Sequence, residues 1–553
     1  VQTLNGLDSL VQYGLTTCMG GFGTTAIGGR SCNVNRGFEE LRSASDGVLT
    51  FMPAGVGFGG RNEPVDELDL LLTGGRLNPR SRELIVGAYD ASYLQHGSTQ
   101  QAIAAALRLF IAASEFHATA ANIDWYGARP TITPPVSRGR QYKAIVLLFL
   151  RGGMDSFNLV VPHSKCASSD LYQQYRQLRG IVALNKGSLL PIDVANQSQP
   201  CAKFGLHPSM PTLKGMYEAG DAALLANVGT LHEPMTLAEY KAKTKIRPRD
   251  LFSHNVQQEI TESMWMQHTG ADGILGRLIS SVSAGEHGFK SQSFSINGNR
   301  KAVEGLTPAT ILDQNHGVVR YKHFDELADQ LRQLARPSAS VISDTYATAL
   351  NNALDSTQEL SQVLEAISLS TAFPESQIGK QLKQVATVMK AELGNEREVF
   401  QVGFGSFDTH RDSGGVLATK LGEIDAALQA FKAEMEMQDK WKDVVLIEAS
   451  DFGRTLTPNA EGTDHAWGGN YFVVGGAVNG SKMLGHYPES LADRSTWDVG
   501  RGRVLPTTPW EAPWNAISRW FGVSESQMPN VLPNVANFGA DQLFVEEDLL
   551  RAA

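Results

Sequence analysis

The feature that most constrains this chain is an apolar, β-branched run that stops at a carboxylate. Residues 444–447, Val-Val-Leu-Ile, read as a strand buried on both faces, as in a parallel sheet. Asp451, Gly453 and Arg454 follow, then the Asp464-His465 pair ahead of Trp467, Gly468 and Gly469. In open α/β sheets, ligands bind in the loops that leave the carboxyl ends of strands. Two further runs end in the same way. The stretch KAIVLLFL, residues 143–150, leads into Gly152, Gly153 and Asp155, and a strand predicted over 399–402 leads into Asp408 and His410. One aspartate after a strand is ordinarily a turn former or helix cap. Three such exits, with His410 and His465 close by, point instead to a shared site. Imidazole with carboxylate is the usual ligand set for zinc, manganese or iron.

The order strand, acidic loop, helix, strand recurs and predicts an α/β fold with a mostly parallel sheet flanked by helices. At 553 residues the chain is long for one core, so an appendage is expected. Residues 1–60 are rich in Gly, Thr, Ser and Asn and read as loop and turn. Apolar residues at helical spacing over 65–77, 81–93 and 99–116 predict a small helical bundle. The expected organisation is a glycine-rich arm and helical appendage over 1–128, a proline-bearing linker over 129–141 and an α/β domain over 142–553. Within that domain a helical insertion at about 325–392, broken at Phe373-Pro374, is expected to cover one sheet face.

A net charge of −10 argues against a nucleic-acid partner, which needs clustered Lys and Arg. No stretch of eighteen consecutive apolar residues predicts a membrane span. The opening residues lack a signal-peptide pattern, and a start at Val1 inside what looks like domain sequence suggests that an upstream portion is missing. Four cysteines allow three pairings; Cys18 with Cys32 and Cys166 with Cys201 closes the shortest loops, and four buried thiols are the alternative. Two glycosylation sequons, at Asn196 and Asn479, join the cysteines in favouring an oxidising, extracytoplasmic compartment.

Several stretches carry a family resemblance: LLFLRGGMDSFNLVVP, LLANVGTLHEP, LFSHNVQQ, FGSFDTH, ASDFGRTLTPN and GTDHAWGGNYFVVGGAVNG. On these, the chain from about residue 142 to its tail resembles the family called domain of unknown function 1501. That resemblance implies a fold similar to alkaline phosphatases and sulfatases, and export from the cell. The helices within 65–91 and 102–119 look like the closing part of a second uncharacterised family, domain of unknown function 1800, often found beside the first.

The phosphatase-like pattern implies roles for particular residues. Asp155 fits the first metal position, Asp408 and His410 the third, Asp451 the aspartate of an Asp-His pair, and His465 the last, with Asp464 beside it. Two departures stand out. Phe452 occupies the place of a second-metal histidine, and one residue separates Asp408 from His410 where the pattern has three. Asp464-His465 could instead be the paired ligands, and His254 or His232 could make up the shortfall. Ser253, near a helix start, is the first candidate nucleophile and Thr230 the second; Ser253 could equally be a helix cap. Arg454 could grip an anionic substrate or serve a structural ion pair, and Arg151 faces the same choice. Two functions follow. One is an exported hydrolase of phosphate or sulfate esters, with glycan substrates a further option, using one or two divalent ions: zinc or manganese first, calcium also possible. The other is a non-catalytic extracellular binding or assembly protein on the same scaffold, associating with the missing upstream portion or a larger assembly.

Overall fold

The computed structural model describes residues 1–13, 63–119, 135–194, 198–284, 287–334 and 341–551. Cys18, Cys32 and Asn196 lie outside the described residues. Chain contacts divide the protein into two compact units, Val1–Thr133 with Val318–Glu365, and Pro134–Gly317 with Ala366–Ala553.

The first unit is helical. Helices Glu63–Thr73, Pro79–His96 and Thr99–Phe110 bury Val65, Ile85, Ala102, Ala106 and Phe110 in a common core. Residues 1–13 were expected to be loop, yet Gln2–Tyr13 is a helix. Leu4 joins a second apolar cluster with Ile111, Phe324, Leu331 and Leu354. The buried Asp8 carboxylate accepts from Arg108 Nε at 3.0 Å. Tertiary burial overrides the local glycine content there. The helical insertion also divides differently from expectation. Helices Phe324–Leu334 and Val341–Glu365 belong to this helical unit, and Gln377–Lys390, in the second unit, packs against the sheet.

The second unit is built on a mixed, mostly parallel sheet. Its principal strands are β1 (Lys143–Leu150), β2 (Ala222–Gly229), β3 (Ser291–Ser295), β4 (Thr310–Asp313), β5 (Arg397–Phe404), β6 (Val444–Ser450), β7 (Gly469–Val474) and β8 (Lys482–Gly485). They run in the order β8-β2-β7-β6-β1-β5-β3-β4, with β7 antiparallel to both of its neighbours. Every residue of β1, β2, β5, β6 and β7 is buried, as befits strands covered on both faces. The chain is thus an α/β protein with flanking helices and a separate helical region.

Register determines what the sheet presents. Leu150, the last residue of β1, pairs with Ser450 of β6 on one side and Phe404 of β5 on the other. Three adjacent parallel strands therefore end level, and their exit loops emerge side by side. The turn after β1 needs glycine: Gly152 has φ +115, and a Cβ there would lie 2.4 Å from Asp408 N.

Beside the sheet, Cys166 and Cys201 form a disulfide across a small three-stranded sheet, spanning 35 residues of sequence. A cross-link of that span stabilises by about 3–4 kcal/mol through the unfolded state. Replacing both cysteines by serine is expected to cost that much in chemical denaturation of the second unit. A second expectation concerns the fully buried helix residue Glu511. Burial raises its carboxyl to about 8, against a hydrogen bond from Asn534 and the charge of Arg277. The folded state holds Glu511 neutral, so its contribution to stability is complete below the unfolded value of about 4.5 and is lost as pH rises through about 8. Stability of Glu511→Gln, measured by denaturation against pH, should lack that decline.

Candidate functional site

The level ends of β6, β1 and β5 deliver Asp451, Gly152-Gly153 and Asp408 to one rim. Arg454 ties these loops together. Its side chain is fully buried; Nε donates to Gly153 O at 2.8 Å, Nη1 to Thr463 O at 2.9 Å, and Nη2 to Gly152 O at 2.7 Å and Phe407 O at 3.2 Å. Nη2 also forms a close ion pair with Asp408. The ion pair with a neighbouring carboxylate, one of the two roles open to Arg454, is thus formed. Arg151 is similarly engaged, donating to Glu262 Oε1 at 2.8 Å.

Around Asp408 three imidazoles converge. His410 Nε2 lies 2.9 Å from Asp408 Oδ1, His465 Nε2 lies 3.3 Å from the same oxygen, and His254 Nε2 lies 3.5 Å from Oδ2. His254 opens the helix His254–Ser263, and its Nδ1–H donates to Asp451 Oδ2 at 2.7 Å. That carboxylate oxygen also accepts from Gly152 N at 3.1 Å and Gln258 Nε2 at 3.0 Å. His465 Nδ1–H donates to Phe252 O at 2.7 Å. A carboxylate and a carbonyl can only accept, so in the neutral rings both Nε2 atoms carry lone pairs. Those two atoms stand 3.1 Å apart. Two facing lone pairs beside a carboxylate repel unless a proton or a metal ion lies among them.

The three separations suit a metal. A tetrahedral zinc ion with ligand bonds of 2.0–2.1 Å sets its donors about 3.3 Å apart. His254 and His465 Nε2 lie 3.1 Å apart, His465 Nε2 lies 3.3 Å from Asp408 Oδ1 and His254 Nε2 lies 3.5 Å from Asp408 Oδ2, so the two nitrogens and one carboxylate oxygen fall within 4.8 Å of one another. The outer hydrogen bonds fit as well, because metal-bound histidines characteristically donate their other N–H to a carboxylate or a carbonyl. A second group, His410, Asp464 and His465, shares one member with the first. Asp464 is already balanced there: Oδ1 accepts from His465 N at 2.8 Å, and Oδ2 faces Arg501 at 3.6 Å and Arg503 at 3.7 Å.

Electrostatics follow from these contacts. Burial opposes ionisation of Asp408, but the Arg454 hydrogen bond and charge, with His410 and His254, outweigh it and hold the carboxyl at about 2. The hydrogen bond to Asp451 raises His254 above its ordinary value despite burial. Burial lowers His465, opposed by its bond to Phe252.

The remaining expected residues fall elsewhere. Asp155 turns inward to a fully buried ion pair with Arg179 and is not among the converging ligand atoms. Asp451 holds His254 through Oδ2, while its buried Oδ1 has no hydrogen-bond partner among the described residues. The Phe452 ring packs against both His254 and His465, centroids 5.0 and 4.9 Å away. Thr230 is buried and its hydroxyl donates to Gln257 Oε1 at 3.0 Å. His232 does not join the cluster. Ser253 occupies the N-cap position, yet its hydroxyl makes no capping bond. His254, named only as a possible supplement, is central, and its signal was its place beside Ser253 in LFSHNVQQ.

Leaving a buried hydrogen-bond acceptor without its donor typically costs about 1–3 kcal/mol. Arg454→Met should lose at least that much stability, read by denaturation, because Asp408 and four carbonyls lose their donor together.

A search of curated proteins yields no match. Among solved structures, one of Ps i-CgsB in complex with k-i-k-neocarrahexaose aligns at 10% identity over 72% of this chain and 77% of that one, with a TM-score of 0.28. One of the PsFucS1 sulfatase from Pseudoalteromonas sp. aligns at 10% identity over 81% of this chain and 73% of that one, with a TM-score of 0.27. At such scores neither alignment bears on fold or function. The family described as a protein of unknown function (DUF1501) matches residues 142–496, and the chain belongs to that family.

Proposed function

We propose that the protein is a divalent-metal-dependent hydrolase of phosphate or sulfate esters, with its centre at His254, Asp408 and His465. The observation that carries this reading is the approach of the His254 and His465 Nε2 atoms to 3.1 Å beside the Asp408 carboxylate, with both Nδ1 atoms engaged outward. Two nitrogen donors with one carboxylate favour zinc or manganese over calcium, which prefers an all-oxygen shell. When bound, the ion would supply a Lewis acid for an ester oxygen and lower the pKa of a coordinated hydroxyl or water.

The chain's own groups supply the rest. Asp451 and the Phe252 carbonyl hold the two imidazoles with Nε2 directed inward. Arg454 stabilises Asp408 as a carboxylate down to about pH 2. Ser253 precedes His254 at a helix N-terminus, with a hydroxyl free of capping duty, and is the proposed nucleophile. Phe452 fills the side of the cluster where a second-metal histidine was expected, which favours a single ion. Asp155 and Arg454 have structural partners and are left out of the chemistry, while Asp464 and His410 form the outer rim. An oxidising, extracytoplasmic location is proposed on the Cys166–Cys201 disulfide. Likeness of the N-terminal helices to the domain of unknown function 1800 rests on their sequence alone.

Elemental analysis and calorimetric titration should find one zinc or manganese ion per chain. Asp451→Asn is expected to weaken binding by about 10–100-fold. Aryl phosphate or aryl sulfate turnover should depend on that ion and fall to background in Ser253→Ala. A protein that binds no divalent ion would overturn the proposal. Binding without turnover of either ester would favour a binding module.

A further inference from the structure

We infer that Arg503 is a positioning residue for His465, supplied from beyond the stretch that matches the family. The inference rests on reading His465 as a ligand, and it concerns which ring nitrogen carries the proton. Phe252, whose carbonyl receives His465 Nδ1–H, has φ +77. A bulky aromatic residue rarely adopts a left-handed backbone, so something must hold it there.

Arg503 touches both ends of that hydrogen bond. Its guanidinium carbon lies 4.1 Å from the centre of the Phe252 ring, and its Nε donates to His465 O at 2.8 Å. The side chain is four-fifths covered, with 20% exposure. Its backbone is fixed too: Leu456 N donates to Gly502 O at 2.8 Å, Gly468 N to Val504 O at 2.9 Å, and Val499 N to Arg503 O at 2.9 Å. The contact with Asp464 is weaker, at 3.7 Å, and is shared with Arg501 at 3.6 Å. A purely ionic role would make the two arginines interchangeable. Only Arg503 stacks on Phe252 and bonds the His465 backbone.

Without Arg503, the Phe252 backbone can relax and its carbonyl can leave His465 Nδ1. Asp408 Oδ1, 3.3 Å from Nε2, then favours the proton on Nε2. In that tautomer the nitrogen facing the cluster has no lone pair to offer a cation.

The test uses the full chain, metal-free and labelled with 15N-histidine, at about pH 8, where an ordinary imidazole is neutral. The His465 resonances, assigned by loss in His465→Gln, should report Nδ1–H in the wild type. Arg503→Gln should move the population towards Nε2–H, while Arg501→Gln should leave it unchanged. Arg503→Lys keeps a cation over Phe252 without the Nε donor; it should shift the population part of the way, and it carries the test if Arg503→Gln does not fold. An unaltered His465 tautomer in the Arg503 variants, or an equal shift in Arg501→Gln, overturns the inference. In parallel, zinc titration of Arg503→Gln should show affinity about 10–100-fold lower than wild type. A wild type that takes up no zinc would sink the metal reading of the site, and the tautomer measurement would still decide the role of Arg503.

Discussion

The candidate site depends on one buried guanidinium. Parallel strands that end level present their exit loops together, but loops without mutual contacts would not hold an arrangement to within ångströms. Arg454 reaches carbonyls in the loops after β1 and β5 and the Asp408 carboxylate, while its own backbone begins the hairpin after β6. A planar fork with several donors can satisfy so many acceptors in one place, which a lysine ammonium cannot reproduce. The same contact keeps Asp408 ionised beside three imidazoles and so sets the charge of the rim.

Much of this was legible in the sequence, and for physical reasons. Strands buried on both faces must be continuous apolar runs, so β1, β2 and β6 stand out without any partner being known. Parallel pairing of β1 with β6 and with β5 makes a common rim, which is why Asp408, His465 and Asp451 could be grouped although they are distant along the chain. What did not show was direction. Asp155 and Asp451 follow strands in the same manner, yet one faces Arg179 in the interior and the other braces His254. Arg179 lies on a helix, Leu171–Arg179, whose docking no local pattern specifies. The helix Gln2–Tyr13 was masked by the glycine-rich composition that follows it, because its support comes from Arg108 and residues beyond 320. The two helices within Val318–Glu365 look like part of the α/β domain along the chain, and only contacts in space assign them to the helical unit.

Phe452 shows how a single side chain can simplify a centre. Its ring rests against both His254 and His465, giving their faces an apolar neighbour and leaving their edges to the polar contacts. Low polarity on that side strengthens the interactions of Asp408 and the imidazoles with any cation among them.

The short hairpin Arg454–Asn459 and Gly462–His465 has a consequence of its own. Arg454 stands directly opposite His465 across the ladder, so the clamp that gathers the loops and the imidazole they surround share one rung. A strand slipped by a single residue turns each side chain to the opposite face. Misregistration would therefore withdraw the clamp and its imidazole in the same event, leaving a folded sheet with a vacant rim. Correct threading of this one hairpin is a quality check that the centre performs on itself.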